Sequence, residues 1–149
     1  MLRQLTADDV ILKREEFENL FFECKKASTG IEPTLEFCKN KISSLIEYLS
    51  ENRAYLFGWV EDGCICGFSW SCIIASGDSE KMHLLYLVVD PEHRRKGIGA
   101  SLIRATEEKA KQLGIRVMEL NVSAYNTSAL KIYEKIDYKP DHITMVKHL

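Results

Sequence analysis

The sequence predicts an α/β fold built on one central mixed antiparallel and parallel β-sheet with helices on both faces. Three observations carry the prediction. Apolar residues recur at helical spacing through the first third of the chain and alternate as in strands through the middle. A strand–helix–strand unit then runs over 82–89, 98–113 and 116–122, and it demands two parallel strands joined by a right-handed crossover. Ahead of it, Glu61-Asp-Gly63 is a hairpin turn signal between two strand-like runs, so an antiparallel pair joins the same sheet. With 149 residues the chain has the size of one domain, 1–149.

The elements follow in order. Leu2–Leu5 alternates weakly and opens the sheet. Thr6-Ala-Asp-Asp-Val10 is an N-cap signal for a first helix, in which Phe17, Leu20, Phe21 and Cys24 share one apolar face. Ser28-Thr-Gly-Ile-Glu-Pro33 breaks it. Thr34 caps a second helix, where Leu35, Cys38, Ile42, Leu45, Ile46 and Leu49 recur at helical spacing. Arg53–Val60 and Cys64–Ala75 form the hairpin, and Gly77–Glu80 loops to the strand Met82–Val89. Gly114 ends the helix Ile98–Leu113 as its C′ residue. The strand Arg116–Val122, the helix Tyr125–Lys135 and a last strand Ile143–Lys147 complete the chain.

Composition excludes several functions. Hydrophobic residues make up 46% of the chain and charged ones 28%, the balance of an ordinary globular protein. A net charge of −2 argues against nucleic acid as a partner. The five cysteines form no CxxC pair, and Cys64 and Cys66 lack partners at zinc-type spacing, so no metal is expected and the thiols read as buried groups in a reducing compartment. The first residues form no signal peptide and no apolar run reaches the ~20 residues of a membrane span. The expectation is a cytoplasmic protein with no membrane contact.

The most informative stretch is Tyr86-Leu-Val-Val-Asp-Pro-Glu-His-Arg-Arg-Lys-Gly-Ile-Gly-Ala-Ser-Leu102. It reads as a strand, a Pro-marked loop, a basic Gly-rich turn and a helix start. A helix N-terminus presents unpaired N–H groups and partial positive charge, which together attract an anion. Gly97 and Gly99 carry no Cβ to hold a phosphate away, and Arg94, Arg95 and Lys96 add charge. Cations at this end of a helix oppose its dipole, so the basic run makes sense when an anion is bound. The Lys-Ser/Thr pair of a P-loop is missing, and the third glycine of a dinucleotide fingerprint is replaced by Leu102. The cradle and Asn126 both fall at carboxyl ends of the parallel strands, where α/β sheets bind ligands.

Arg94-x-x-Gly97-x-Gly99-Ala100 resembles the [QR]xxGx[GA] signature of the GNAT superfamily of N-acetyltransferases. Leu87-Val-Val89-Asp-Pro91 is similar to the strand that precedes it there, and Asn126-Thr-Ser-Ala129-x-x-x-Tyr133 to the family's later Asn/Tyr helix. The likeness runs from about Tyr55 to Met145-Val-Lys147. It implies acetyl-CoA as acetyl donor, direct attack by a primary amine in a ternary complex, and no metal. Leu87, Val88 and Val89 would offer backbone groups to the pantetheine arm, as an added strand does. The Leu87 N–H would point at the thioester carbonyl. Arg94, Arg95, Lys96, Gly97, Ile98, Gly99 and Ala100 would hold the pyrophosphate, and Asn126 would bond the pantetheine or a phosphate. Tyr133, two turns after Asn126 on the same helix face, would protonate the leaving thiolate.

The resemblance leaves the base open. Where many members carry a Glu on the strand before the cradle, this chain has His83; where others carry one on the second parallel strand, it has Asn121, with Glu119 two residues earlier. His83, whose ordinary pKa is near 6.5, and Glu119 are the candidates. The Gly that the family places after its Tyr helix is Asp137 here. The acceptor, a small-molecule or a protein amine, would lie near Glu16–Leu49, where Glu18, Glu23 and Glu32 offer negative charge and Trp59 and Trp70 line the cleft or pack in the core. A homodimer fits the resemblance too. The rival reading is a coenzyme A-binding sensor or scaffold that has lost turnover.

Overall fold

The computed structural model describes all 149 residues. Its elements are β1 (Leu2–Gln4), α1 (Ala7–Leu12), α2 (Arg14–Thr29), α3 (Leu35–Ser50), β2 (Tyr55–Glu61), β3 (Cys64–Ser76), β4 (Ser79–Val89), a short 3₁₀ turn (Pro91–His93), α4 (Ile98–Gln112), β5 (Met118–Leu120) and α5 (Thr127–Lys135). The five strands lie in sequence order in one sheet. The first three contacts are antiparallel and β4–β5 is parallel, which is the mixed sheet the sequence predicts.

Alternation along the strands divides the core between the two faces. Leu56, Phe68, Trp70 and Val88 turn to one side, where they pack with Val10 of α1, Phe17, Leu20 and Phe21 of α2 and Ile42 and Leu45 of α3. Phe17 packs against Phe68 in a tilted pair with ring centroids 5.2 Å apart. Phe57, Leu87 and Val89 turn to the other side, against Ile98, Leu102 and Ala105 of α4. One polar seam crosses this second layer: the hydroxyls of Ser69 and Thr106, both buried, lie 3.0 Å apart. Helices therefore cover both faces. No helix is long and apolar enough to cross a membrane.

Local chemistry explains most boundaries. Thr6 accepts from the Asp9 N–H while the Asp9 carboxylate accepts from the Thr6 N–H at 2.8 Å, a full capping box. Thr34 caps α3 through the Phe37 N–H. Gly30 ends α2 in the left-handed region.

Four expectations are corrected. The first helix is interrupted at Lys13, whose backbone departs from helical geometry (φ −112°, ψ 26°) while its side chain binds Glu16 at 2.9 Å and the carbonyl of Gly63. The second parallel strand keeps only Met118–Leu120 of the expected 116–122, because β4 diverges from it after Leu84. The last helix begins at Thr127 rather than Tyr125, which lies outside it with its ring in solvent; Asn126 provides the cap. The closing strand Ile143–Lys147 is absent: its alternating residues find no apolar surface, Ile143, Met145 and Val146 all stand exposed, and β5 presents an edge of only three residues.

Candidate functional site

The sheet opens at one place. Strand β4 pairs with β3 along its whole length, but the register steps from Trp70↔Tyr86 to Ser71↔Leu84 and leaves Leu85 as an extra residue. On its other side β4 pairs with β5 only from Met82↔Met118 to Leu84↔Leu120. The bulge thus falls one residue past the last parallel pair. A bulge sharpens twist and bends its strand, so β4 turns away from β5 there. From Leu85 to Val89 one edge of β4 carries no strand, which leaves a row of backbone donors and acceptors facing a crevice.

The carboxyl end of β4 leads into the basic turn. Asp90 caps the 3₁₀ turn by accepting from the Glu92 N–H at 2.8 Å. Arg95 and Gly97 both adopt left-handed backbone, with φ of 64° and 78°. Such reversals turn successive N–H groups to the same side and form an anion-binding concavity. Helix α4 starts directly after Gly97 with no side-chain cap and no acidic residue in its first turn. Its first N–H groups therefore have no partner within the chain, which suits an external anion. A Cβ on Gly97 would meet nothing within 4 Å, so this glycine serves conformation; one on Gly99 would meet Leu87 and Val89 at ordinary contact, 3.7 and 3.8 Å. Gly67 differs, because a Cβ there would stand 2.8 Å from the Val88 carbonyl and would push β3 off β4 beside the crevice.

Arg94 is turned back under the turn. Its Nε donates to the Val89 carbonyl at 3.1 Å and its guanidinium reaches Cys24 Sγ at 3.7 Å. Arg95 and Lys96 have exposed side chains at the mouth of the cradle.

At the closed end of the crevice the parallel register sets His83 directly beside Glu119. His83 Nδ1 lies 3.1 Å from Glu119 Oε1, and Lys81 Nζ lies 3.4 Å from Oε2. The sequence places both residues on strands but cannot show that they touch, since parallel register has no local signature. The bulge at Leu85 escapes sequence reading for the same reason.

Helix α5 brings Tyr133 and Asn126. The Asn126 side chain accepts from the Ala129 N–H at 3.3 Å and so caps the helix. Tyr133 is half-buried and packs on the Tyr138 ring at a centroid distance of 6.0 Å. Burial alone raises its phenol above the ordinary value, so it stays protonated at neutral pH. Tyr138 donates to Glu107 of α4 at 3.0 Å, and burial followed by the Glu107 charge pushes its pKa well up. Asp137 takes the left-handed conformation at φ 69°, so the turn keeps the shape that a glycine would favour.

The acceptor-side candidates separate clearly. Glu18 is tied to Arg14 at 2.6 Å, while Glu23 and Glu32 stand in solvent. Trp70 packs in the core against Tyr86 and Tyr48, and its buried indole N–H has no partner. Trp59 joins the opposite layer and donates to Glu61 at 2.8 Å.

A mixed sheet that splays beside a basic helix N-terminus is the architecture of a coenzyme A-dependent acyltransferase fold. The family model described as Acetyltransferase (GNAT) family matches residues 14–138, and the chain belongs to that family. It is similar to human N-acetyltransferase 8, with 32% identity over 126 residues, 83% of this chain and 55% of that protein. It is also similar to an uncharacterised N-acetyltransferase of Methanocaldococcus jannaschii, MJ1207, with 31% identity over 78 residues, 52% of this chain and 34% of that one. The chain thus spans only part of the length of these curated relatives. Among solved structures, the aminoglycoside N-acetyltransferase AAC(6')-Iy in complex with CoA superposes with a TM-score of 0.76 at 18% identity, covering 100% of this chain and 93% of that one, which shows a shared fold.

Proposed function

We propose that this protein transfers an acetyl group from acetyl-CoA to a primary amine by direct attack in a ternary complex. The observation that carries the reading is the paired opening: an unpartnered backbone edge on Leu85–Val89 that runs straight into the uncapped start of α4. The residues fit the donor. Leu87, Val88 and Val89 would bind its extended arm through main-chain groups, and Lys96–Ala100 would bind its pyrophosphate through N–H groups, with Arg95 and Lys96 adding charge. Arg94 would shape the turn from beneath, since its guanidinium already holds the Val89 carbonyl and Cys24. Asn126 would add a contact from the far side of the crevice.

When bound, the donor supplies an acetyl carbonyl activated by its bond to sulfur. The chain's residues would then manage protons. An aliphatic amine of pKa ~10.4 is neutral in about one molecule per thousand or fewer at pH 7, so a base is needed. His83 would take that proton at one ring nitrogen while Glu119 holds Nδ1, which orients the ring and steadies its charge. The amine nitrogen forms its bond to the carbonyl carbon as the C–S bond breaks. Tyr133 would give its phenolic proton to the departing sulfur; its raised pKa keeps that proton available across the physiological range. The Leu87 N–H would stabilise charge on the carbonyl oxygen, an effect worth about 2.7–4 kcal/mol for one preorganised donor.

The test is thiol release from acetyl-CoA with a panel of amines (an aminoglycoside, a polyamine and a peptide with a free N-terminus), beside calorimetry with CoA. Turnover with one class is expected. Tyr133→Phe should lower kcat about 10²-fold and His83→Ala by a similar factor, both with CoA affinity unchanged. Tight CoA binding without turnover on any amine would favour a sensor or scaffold instead. Absence of CoA binding would end the reading.

A further inference from the structure

Away from the crevice, three metal-ligating side chains from distant parts of the sequence meet at the turn that precedes the cradle. Glu61 ends β2, Cys66 lies near the start of β3, and His93 closes the 3₁₀ turn. Their ligand atoms all lie within 4.8 Å of one another. A tetrahedral zinc ion with ordinary bond lengths sets its ligand atoms roughly 3.4–3.6 Å apart, so side-chain rotation of about 1 Å closes the set.

Each ligand is already oriented by its surroundings. Trp59 donates to Glu61 Oε1 at 2.8 Å, which leaves Oε2 facing His93 Nε2 at 3.6 Å. His93 Nδ1 is buried without a hydrogen-bond partner and lies 3.8 Å from Asp90 Oδ1. That is the place an outer carboxylate takes behind a metal-bound imidazole. Cys66 is 3% exposed, and its thiol lies 3.7 Å from the Cys64 carbonyl. The unpartnered Nδ1 of His93 faces Asp90 while Nε2 faces Glu61, so a ring that offers Nε2 to a metal has a carboxylate beside its other nitrogen to accept the Nδ1 proton.

We propose that Glu61, Cys66 and His93 form a binding site for a borderline-soft divalent transition metal, zinc by its chemistry, with a fourth position open to water. Thiolate and imidazole together exclude the hard cations magnesium and calcium and select zinc-type ions. On binding, the Cys66 S–H gives its proton to solvent as the metal–sulfur bond forms, and thiolate plus carboxylate neutralise the dication. The ion would fasten the β2–β3 hairpin to the residue just before Arg94, and so brace the first residue of the cradle. The proposal does not depend on acetyl transfer.

The test is titration of the untagged, metal-stripped full chain with Co²⁺, followed by optical absorption. Stoichiometric binding should produce a thiolate-to-cobalt charge-transfer band, and Zn²⁺ should abolish it by displacement. The band should be lost in Cys66→Ser and kept in Cys64→Ser, whose thiol is exposed. Asp90→Asn should weaken affinity about 10–100-fold. If thermal melts show that Cys66→Ser does not fold, His93→Gln at the surface turn carries the test through the same band, which should weaken and shift. No band in the unmodified chain, a band that survives Cys66→Ser, or one that depends on Cys64 would overturn the assignment.

Discussion

Replacing Gly97 and Gly99 by alanine, one at a time, separates what the cradle needs as backbone from what it needs as space. Gly97 sits at φ 78° with room around it, so an added methyl strains the chain and touches nothing. The left-handed conformation costs an alanine about 1–2 kcal/mol, and the stiffer unfolded chain returns about 0.4–1 kcal/mol. The net loss is therefore between about 0 and about 1.6 kcal/mol, or up to roughly 6 °C in Tm for a chain of this length. If the turn relaxes to escape the strain, Tm recovers but the N–H groups of Lys96–Ala100 leave their common direction. CoA affinity should then fall at least tenfold, about 1.4 kcal/mol. Gly99 lies inside α4, and its alanine would make ordinary contacts of 3.7 and 3.8 Å with Leu87 and Val89. Gly99 stands in the first turn of α4, where a Gly→Ala change stabilises by less than the about 1 kcal/mol of a helix interior. Gly99→Ala should therefore leave Tm equal or higher and CoA affinity unchanged within twofold. Differential scanning fluorimetry and calorimetric titration with CoA read both quantities. If Gly97→Ala kept both Tm and CoA affinity while Gly99→Ala lost affinity, the backbone argument for the cradle would be wrong.

Two further substitutions probe the surroundings. Gly67→Ala places a Cβ 2.8 Å from the Val88 carbonyl, so β3 must move off β4. A loss of about 1–3 kcal/mol in urea unfolding is expected, with weaker CoA binding as β4 shifts, and an unchanged midpoint would contradict the close approach. Tyr138 has a folded-state pKa raised above the unfolded value near 10. Its contribution to stability is whole below pH ~10 and is lost as the pH rises from there toward the folded pKa, because the unfolded chain releases the proton first. Tyr138→Phe should cost about 1 kcal/mol at neutral pH and flatten the alkaline fall in Tm above pH 10; an equally steep fall would assign it to another group.

Local properties are legible in the amino-acid sequence. Helix caps at Thr6 and Thr34 depend on a hydroxyl and an N–H three residues on, and both appear as expected. The glycine at 97 announces its own backbone. What sequence could not show depends on register between distant segments. His83 and Glu119 become partners only once β4 and β5 are aligned, and Glu61, Cys66 and His93 meet only when the hairpin folds against the 3₁₀ turn. Zinc-type spacing describes ligands on one local motif, whereas Glu61, Cys66 and His93 stand on three separate segments, so their proximity has no mark in the sequence. The missing last strand fails for another reason: alternation in Ile143–Lys147 is necessary for a strand, but an apolar surface to cover it is also required.

The candidate site is created by an interruption of regular structure, and its parts depend on one another. Without the extra residue at Leu85, β4 would continue in register beside β5 and its edge would be filled by a neighbour. Without the left-handed residues Arg95 and Gly97, α4 would not begin with its open N–H groups at the carboxyl end of that edge. The bulge opens the crevice two residues beyond the His83–Glu119 pair, because pairing as far as Leu84↔Leu120 is what holds the two side chains together. A donor arm laid along Leu85–Val89 would therefore point its reactive end toward the place where the sheet closes, beside the base proposed at His83. The same short β5 that ends the parallel pairing serves both the opening and the pair that borders it.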